Sequence, residues 1–483
     1  MSRLCIAVTG ANNGVGFGAC QRLLEQLSSE HQTDANPQFD IPVESKDVPD
    51  EPPQWSGLTL IMVCRNMQKA EAARGKLLSY LDRILEVRKA KGIVDEYGKN
   101  FRQNLVIEIE KCDFTSVKSV VDCARGMRTK YPYLNHLVLN AGAASFTAID
   151  WFKLVIPLLL HPVISLTVAS YIIQGIGERS EDGFGYIWQC NVFGPYIFYR
   201  ELQPLLEAFH SRSDVDHHYP SRVLWTTSIE ATHFYRPEDW QLVETNHSYE
   251  ASKYQIDLVA SQLEKQALRL EEQTNRPAKV RHVLIHPGCA STGIADNMLY
   301  PIMIYLMNLA FYFARFLGSP HHPKDPHIAG IAATHTLLTP IENLPNPQRH
   351  SRCLKFSEID SEQKMLLQEK LTEVKWIRVI DPKDPPPPIK FGAETDIFGN
   401  PRVGVMRVKQ WKEYEPESRA LVERFEGLYK SLVSDHPEKF TPVPEGDFSP
   451  AADGPVVQKR RVWDHQDGYG SNARGSTYTS GYN

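Results

Sequence analysis

Two kinds of hydrophobic run alternate along the first three hundred residues. Short apolar runs rich in β-compatible residues occur at Leu4–Gly10 (LCIAVTG), Leu58–Cys64 (LTLIMVC), Asn104–Asp113, Leu134–Gly142, Ser221–Ser228 and Val280–Gly288. Between them lie longer segments with helical spacing. After the first run, Cys20, Leu23, Leu24 and Leu27 fall at i, i+3, i+4 and i+7, one face of a helix. Comparable helices are predicted over Gln68–Ala90, Thr115–Tyr131, Tyr186–Phe209 and Tyr249–Leu270. Strands alternating with helices of this length predict an α/β fold, a doubly wound, Rossmann-like parallel sheet. Right-handed crossovers then cover both faces with helices.

Three segments break the alternation. Residues 30–56 are polar and rich in proline, about twice the usual length of an α-to-β connection, and read as a surface insertion. Residues 151–180 are apolar but broken by Pro157, His161 and Pro162. Residues 298–318 form a run of nearly membrane-spanning length that carries Pro301 and Arg315. For both apolar segments two readings stand: a buried or substrate-covering helix, or a segment lying in a bilayer. The expected organisation is a single α/β domain over 1–320, an extension over 321–446 and a disordered tail over 447–483. Within the extension, Pro382–Gly392 reads as a stiff linker, Val403–Trp411 as a strand and Pro416–Val433 as an amphipathic helix.

Composition narrows the function classes. The net charge of −5 and the lack of a basic stripe argue against nucleic acid as a partner. The eight cysteines form no CxxC pair and no metal-ligand spacing with histidine, so no metal site is expected. Most sit in apolar runs, which suits a reducing compartment. The start, MSRLCIAVTG, lacks the apolar length of a signal peptide and reads as a first strand.

The candidate chemistry begins at TGANNGVG, between the first strand and the first helix. Gly10 permits a tight turn. Gly14 and Gly16 let backbone amides approach a pyrophosphate at the positive end of the helix, with Asn12 and Val15 between them. The second strand ends in Cys64 and Arg65, with no carboxylate to bind a ribose 2′-hydroxyl. A guanidinium there suits a 2′-phosphate, which favours NADP(H) over NAD(H). Asp113, at the end of the third strand, could face the adenine or cap the next helix. Asn140 and Gly142 end the fourth strand where backbone can come close to a ligand.

Tyr249 and Lys253 stand one helical turn apart. A free phenol has a pKa of about 10 and is a sluggish acid near neutrality; a nearby ammonium and a nicotinamide cation would lower it. Ser228, at the end of the fifth strand, can hydrogen-bond a substrate oxygen. Taken together, the turn TGxxxGxG, NAG at Asn140–Gly142, Asn191, Ser228 and the YxxxK pair Tyr249/Lys253 resemble the short-chain dehydrogenases/reductases over roughly residues 3–293. The resemblance implies catalytic roles for Tyr249, Lys253, Ser228 and Asn191, with Lys253 also on the nicotinamide ribose and Asn191 holding a water. It implies nicotinamide contacts for Pro287, Gly288, Ala290 and Thr292 in HPGCAST. The twenty residues between Ser228 and Tyr249, the inserted apolar segments and the extended C-terminal part further resemble the 3-keto-steroid reductases of sterol C4 demethylation, in their fungal branch. That implies an NADPH-dependent oxidoreductase reducing a 3-keto sterol in ergosterol-type biosynthesis. It also implies a membrane surface as partner, on the cytosolic face of the endoplasmic reticulum or on lipid droplets, and neighbouring C4-demethylation enzymes. Another ketosteroid, a retinoid or a secondary-metabolite ketone remains open as substrate, as does a non-catalytic dinucleotide-binding scaffold.

Overall fold

The computed structural model describes residues 3–39, 41, 48, 55–212, 218–232, 234–290, 301–347 and 386–441. The strands are β1 (Leu4–Thr9), β2 (Leu58–Cys64), β3 (Leu105–Lys111), β4 (His136–Leu139), β5 (Phe146–Ile149), β6 (Ile172–Gln174), β7 (Ser221–Thr226), β8 (Val280–His286), β9 (Ile389–Thr395) and β10 (Pro401–Arg407). The helices are α1 (Gly14–Leu27), α2 (Met67–Ala90), α3 (Glu96–Gln103), α4 (Val117–Lys130), α5 (Trp151–Leu160), α6 (Pro162–Thr167), α7 (Tyr186–Trp188), α8 (Gly194–His210), α9 (Ser248–Thr274), α10 (Pro301–Phe316), α11 (Pro326–Ala329), α12 (Ile331–Leu338) and α13 (Trp411–Tyr429).

Eight strands form one sheet in the order β10-β9-β8-β7-β4-β1-β2-β3, parallel throughout except for β10. The chain winds from β1 outward through β2 and β3, then returns to the other side of β1 with β4. The strand order therefore reverses between β1 and β4, and the crevice at the carboxyl ends there is where ligands bind in such sheets. The inner strands β1, β4, β7 and β8 are buried along their whole length between helices on both faces, whereas the edge strand β3 exposes Val106 and Lys111. One core joins β1, β4, β7 and β8 to α4, α8, α9 and α13; the other joins the opposite face to α1, α2 and α12.

Beyond residue 320 the expected separation fails. Helices α11 and α12 pack on α1, β9 pairs with β8, and α13 packs on α9. Leu421 and Phe425 of α13 are fully buried, and Glu426 makes paired hydrogen bonds to Arg200 of α8. Among the described residues, 326–347 and 386–441 thus belong to the same compact unit as the β1–β8 body. The expected linker over Pro382–Gly392 is corrected as well, since its second half opens the fully buried strand β9. The expected strand and helix at β10 and α13 are present. The tail 447–483 lies outside the described residues.

The 30–56 stretch is not wholly a surface feature. Asp34 is buried, pairs with Arg22 and offers its carbonyl to His335 of α12. The 151–180 stretch folds as α5 and α6 followed by β6, which pairs with β5 in a small antiparallel hairpin. No residue of α5 is buried, so the core-helix reading fails there. None of the helices over the described residues is long and apolar enough to cross a membrane.

Candidate active site

At the end of β1 the backbone turns sharply at Gly10, with φ +67°, and again at Gly14, with φ +54°. A side chain is excluded at Gly16, where a Cβ would lie 2.5 Å from Asn140 Nδ2 and 2.6 Å from Gly10 O. Helix α1 starts without a side-chain cap and without an acidic residue in its first turn. Its leading N–H groups and the positive end of the helix thus face the crevice without an anion of the protein's own. Asn12 and Val15 are half-buried beside this turn. Thr9, the last residue of β1, fastens the next layer: its hydroxyl accepts from the N–H groups of Asn140 and Ala141, each at 2.8 Å. The Asn140 amide donates back to Thr9 O at 3.1 Å.

Helices α7 and α8 were expected as one helix. They are joined by a π-helical turn over Gln189–Phe193, which holds Asn191. Such a turn rotates one side chain out of the α-helical register, and it often marks a functional position. Asn191 is buried and its amide is committed to the chain after Gly142. It accepts from Ala143 N at 2.7 Å and donates to Ala143 O at 2.9 Å and to Ser252 Oγ at 3.0 Å. A Cβ on Gly142 would lie 3.2 Å from Asn191 Oδ1 and 3.6 Å from Lys253 Nζ, so glycine keeps this approach open.

Tyr249 and Lys253 lie in the first two turns of α9, which packs its N-terminal half into the core. The Lys253 ammonium donates to Thr226 O at 3.0 Å and sits 5.8 Å from the Tyr249 ring centre. Burial pulls the lysine down to about 8, with Asp257 acting the other way. Ser228 stands two residues beyond β7 and hydrogen-bonds the Tyr249 phenol. The expected lowering of that phenol is not produced by the protein's own groups. Burial pushes it up first, and the Glu230 carboxylate adds to the rise; the Ser228 hydroxyl pulls it down. The Lys253 cation is held on a backbone carbonyl and meets the phenol only from 5.8 Å, so stabilising a phenolate here takes a positive charge on the ligand side in addition to Lys253.

The remaining expected residues are placed as follows. Arg65 is exposed at the end of β2 and hydrogen-bonds Tyr186. The Cys64 thiol accepts from the amides of Ala11 and Asn12 in the glycine turn. Asp113 closes a local turn, accepting from Thr115 N at 3.0 Å and Thr115 Oγ1 at 2.7 Å. It is not the cap of α4, a role taken by Ser116. Pro287 follows β8, and Gly288 has φ +67°, with three backbone or ring atoms within 2.9 Å of where its Cβ would stand. Ala290 bridges Lys324. Thr292 lies outside the described residues.

No family model matches the sequence. The 3-keto-steroid reductase of Schizosaccharomyces pombe is 28% identical over 333 residues, covering 68% of this chain and 81% of that one. The 3-keto-steroid reductase of Kluyveromyces lactis is 28% identical over 305 residues, 62% of this chain and 82% of that one. That of Saccharomyces cerevisiae is 26% identical over 362 residues, 75% of this chain and 87% of that one. The chain resembles the fungal 3-keto-steroid reductases. Among solved structures, the NADP active-site complex of Pseudomonas aeruginosa RhlG aligns with a TM-score of 0.41 at 15% identity, over 70% of this chain and 91% of that one.

Four residues near Tyr249 escaped the sequence reading. Gln174, from β6, accepts from Tyr249 N at 2.9 Å and donates to Glu250. Phe146, from β5, packs edge-on against the Tyr249 ring, 5.5 Å between centres. Glu230 accepts from Ala169 N at 2.6 Å, and its own N–H donates to Ser228 Oγ at 3.1 Å. Lys390 donates to Ser228 O at 3.0 Å. Gln174, Glu230 and Lys390 come from insertions or the extension and Phe146 from the loop after Gly142; only Glu230, two residues past Ser228, had a positional hint.

Proposed function

We propose that the chain reduces the 3-keto group of a C4-demethylated sterol intermediate to the 3-hydroxyl, using NADPH, in ergosterol-type sterol biosynthesis. The observation that carries the reading is the grouping of the four residues: Ser228 hydrogen-bonds the Tyr249 phenol, the Lys253 ammonium sits 5.8 Å from the Tyr249 ring centre, and Lys253 and Asn191 both approach Gly142. The sequence likeness to 3-keto-steroid reductases, over four-fifths or more of their length, supplies the substrate class.

The residues present fit a dinucleotide. The turn Gly10–Gly16 and the uncapped start of α1 would take the pyrophosphate. Arg65 would pair with a 2′-phosphate. Asn140, Gly142, Lys253, Pro287, Gly288 and Ala290 would hold the nicotinamide half. When bound, the cofactor supplies the hydride and, on oxidation, a positive ring. Tyr249 gives its phenolic proton to the ketone oxygen as the carbon accepts hydride, and Ser228 holds that oxygen by a hydrogen bond. Lys253, charged below about pH 8, restrains the resulting phenolate's charge. Asn191 keeps the Gly142–Ala143 backbone in place.

A sterol ketone is a nearly insoluble hydrocarbon with one polar atom, so its reductase needs contact with a lipid phase. On α5, Phe152 is 84% exposed and Leu159 79%; on α10, Phe316 is 76%. These two helices both pack on α6, and α6 lies against the Pro287–Cys289 segment through the Cys289 thiol. This supports a membrane-facing entrance beside the nicotinamide end of the site, on the endoplasmic reticulum or lipid droplets, where other C4-demethylation enzymes would hand over substrate. The direct experiment is turnover of NADPH by the purified protein with a 3-keto sterol, beside a 17-ketosteroid and short ketones. Sterol profiling after loss of the gene should show accumulated 3-keto sterols; an unchanged profile excludes the assignment.

A further inference from the structure

Lys390, the second residue of β9, is completely buried and paired across the sheet with Leu284 of β8 and Met406 of β10. Its ammonium has two partners in view. It donates to Asp257 Oδ2 at 2.9 Å and to the main-chain oxygen of Ser228 at 3.0 Å. Asp257 is also fully buried, one helical turn after Lys253 on α9, and its second oxygen has no hydrogen-bond partner among the described residues. A lone buried ion pair with an unfilled carboxylate oxygen is a poor source of stability. Well-packed apolar residues of the same volume commonly do as well or better.

What the pair does achieve is local. Strand β7 ends at Thr226, so Ser228 lies beyond the ladder. Thr227 is still anchored, by its N–H to Ile285 O and by its hydroxyl to Lys253 O. Among the described residues the Ser228 carbonyl accepts from the Lys390 ammonium at 3.0 Å and, over a longer contact, from Ala231 N at 3.3 Å, while its hydroxyl accepts from Glu230 N at 3.1 Å. Placing the Ser228 hydroxyl against Tyr249 depends on where that peptide points.

We propose that Lys390 is a positioning residue: its ammonium, neutralised by Asp257, fixes the Ser228 carbonyl and so the direction of the Ser228 hydroxyl at the ketone. The proposal rests on the reading of Ser228 given above. It also assigns a catalytic purpose to a strand of the C-terminal part of the chain. The contact is charge-assisted and comes from a fully buried ammonium, a setting in which a hydrogen bond is stronger than in water.

The test is a kinetic double-mutant cycle on the full-length enzyme. Lys390→Met is combined with Asp257→Leu, so that no lone charge is left in the core. The expected result is a thermal midpoint near the parent's and an unchanged KM for NADPH, with kcat lower by about 10- to 100-fold, the scale of an ångström-level misplacement. In a Ser228→Ala background the same pair should cost nothing further, because the hydroxyl it aims is gone. If the pair lowers kcat by the same factor in both backgrounds, the positioning role is wrong while the site reading stands. If Ser228→Ala alone leaves kcat unchanged, the site reading itself fails and takes this proposal with it. Should the apolar pair not yield folded protein, Lys390→Gln, which keeps a neutral donor and most of the stem, runs the same cycle with the same deciding comparison.

Discussion

Lys253 donates its ammonium to the carbonyl of Thr226 at 3.0 Å, tying the catalytic helix to the last residue of β7. The tie brings a cost, because the cation is buried and its pKa is drawn down to about 8. A lysine is charged below its pKa, so the cation that steadies the Tyr249 phenolate is lost as pH rises through about 8. Ketone reduction measured as kcat/KM should therefore decline on the alkaline side with an apparent pKa near 8. A rate that stays level to pH 9.5 would show that the charge on Lys253 is not required.

Tyr249 has its phenol pushed upward by burial, so it stays protonated across the working range and is suited to give a proton rather than take one. Positioned acid catalysis contributes on the order of 10²- to 10⁴-fold. Tyr249→Phe, which keeps the ring contact with Phe146, should lower kcat by that factor and leave NADPH affinity nearly unchanged. Robust turnover by this variant would remove Tyr249 from the mechanism.

The parts of the molecule that were legible in sequence are those encoded locally. The β1–glycine turn–α1 unit, the six inner parallel strands and the Tyr249/Lys253 spacing are each set by residues within a few positions of one another. What was hidden depends on distant partners. Strand β9 follows a run of prolines and carries Lys390 as its second residue, so it reads as a linker until Asp257 is seen to neutralise that lysine. The π turn at Asn191 leaves no mark on helical periodicity, because the apolar pattern continues through it. The upward shift of Tyr249 arises from burial and from Glu230, with Phe146 of β5 packed on the ring and Gln174 of β6, from the apolar 151–180 segment, on its backbone N–H.

Glu230 joins two of the inserted segments, since its carboxyl accepts from Ala169 N at 2.6 Å. Burial raises its pKa from 4.5 to about 7, with Glu250 adding to the rise and the Ala169 hydrogen bond and Lys409 opposing it. In this window the native state binds more protons than the unfolded chain, so stability falls as pH rises from about 4.5 through 7. The shift corresponds to at most about 3 kcal/mol. Glu230→Gln removes the titration. Its melting midpoint should match the parent's near pH 4.5 and exceed it by pH 8.5, as read by calorimetry across that range. A constant offset at all pH values would contradict the buried-carboxyl account.

Arg65 stands exposed beyond β2, where no carboxylate competes for the ribose. A charge-assisted pair is worth about 1.5–3 kcal/mol, or roughly a 10- to 100-fold change in affinity. Arg65→Ser should raise the KM for NADPH by that factor and leave that for NADH within experimental scatter. Equal losses with both cofactors would place the 2′-phosphate elsewhere.

The apolar surface of α5 and α10 is too extensive to be incidental. Trp151, Phe152, Ile156, Leu159 and Leu160 are exposed on one helix, and Tyr305, Leu306, Leu309, Phe313 and Phe316 on the other. Neither helix meets the length and hydropathy needed to cross a bilayer, which leaves a lipid face or a protein partner to cover them. Lipid is the better match for a reductase of a water-insoluble ketone, because α6 connects both helices to the segment after β8. Large side chains of this kind give about 1.5–3 kcal/mol each on leaving water. Replacing Phe152 and Leu159 with serine should therefore weaken sedimentation with phosphatidylcholine vesicles by at least about tenfold. Turnover of a short soluble ketone should be unchanged, since neither residue touches Ser228 or Tyr249, while turnover of a sterol presented in vesicles should fall. Undiminished vesicle binding by this variant would assign the patch to a protein partner instead.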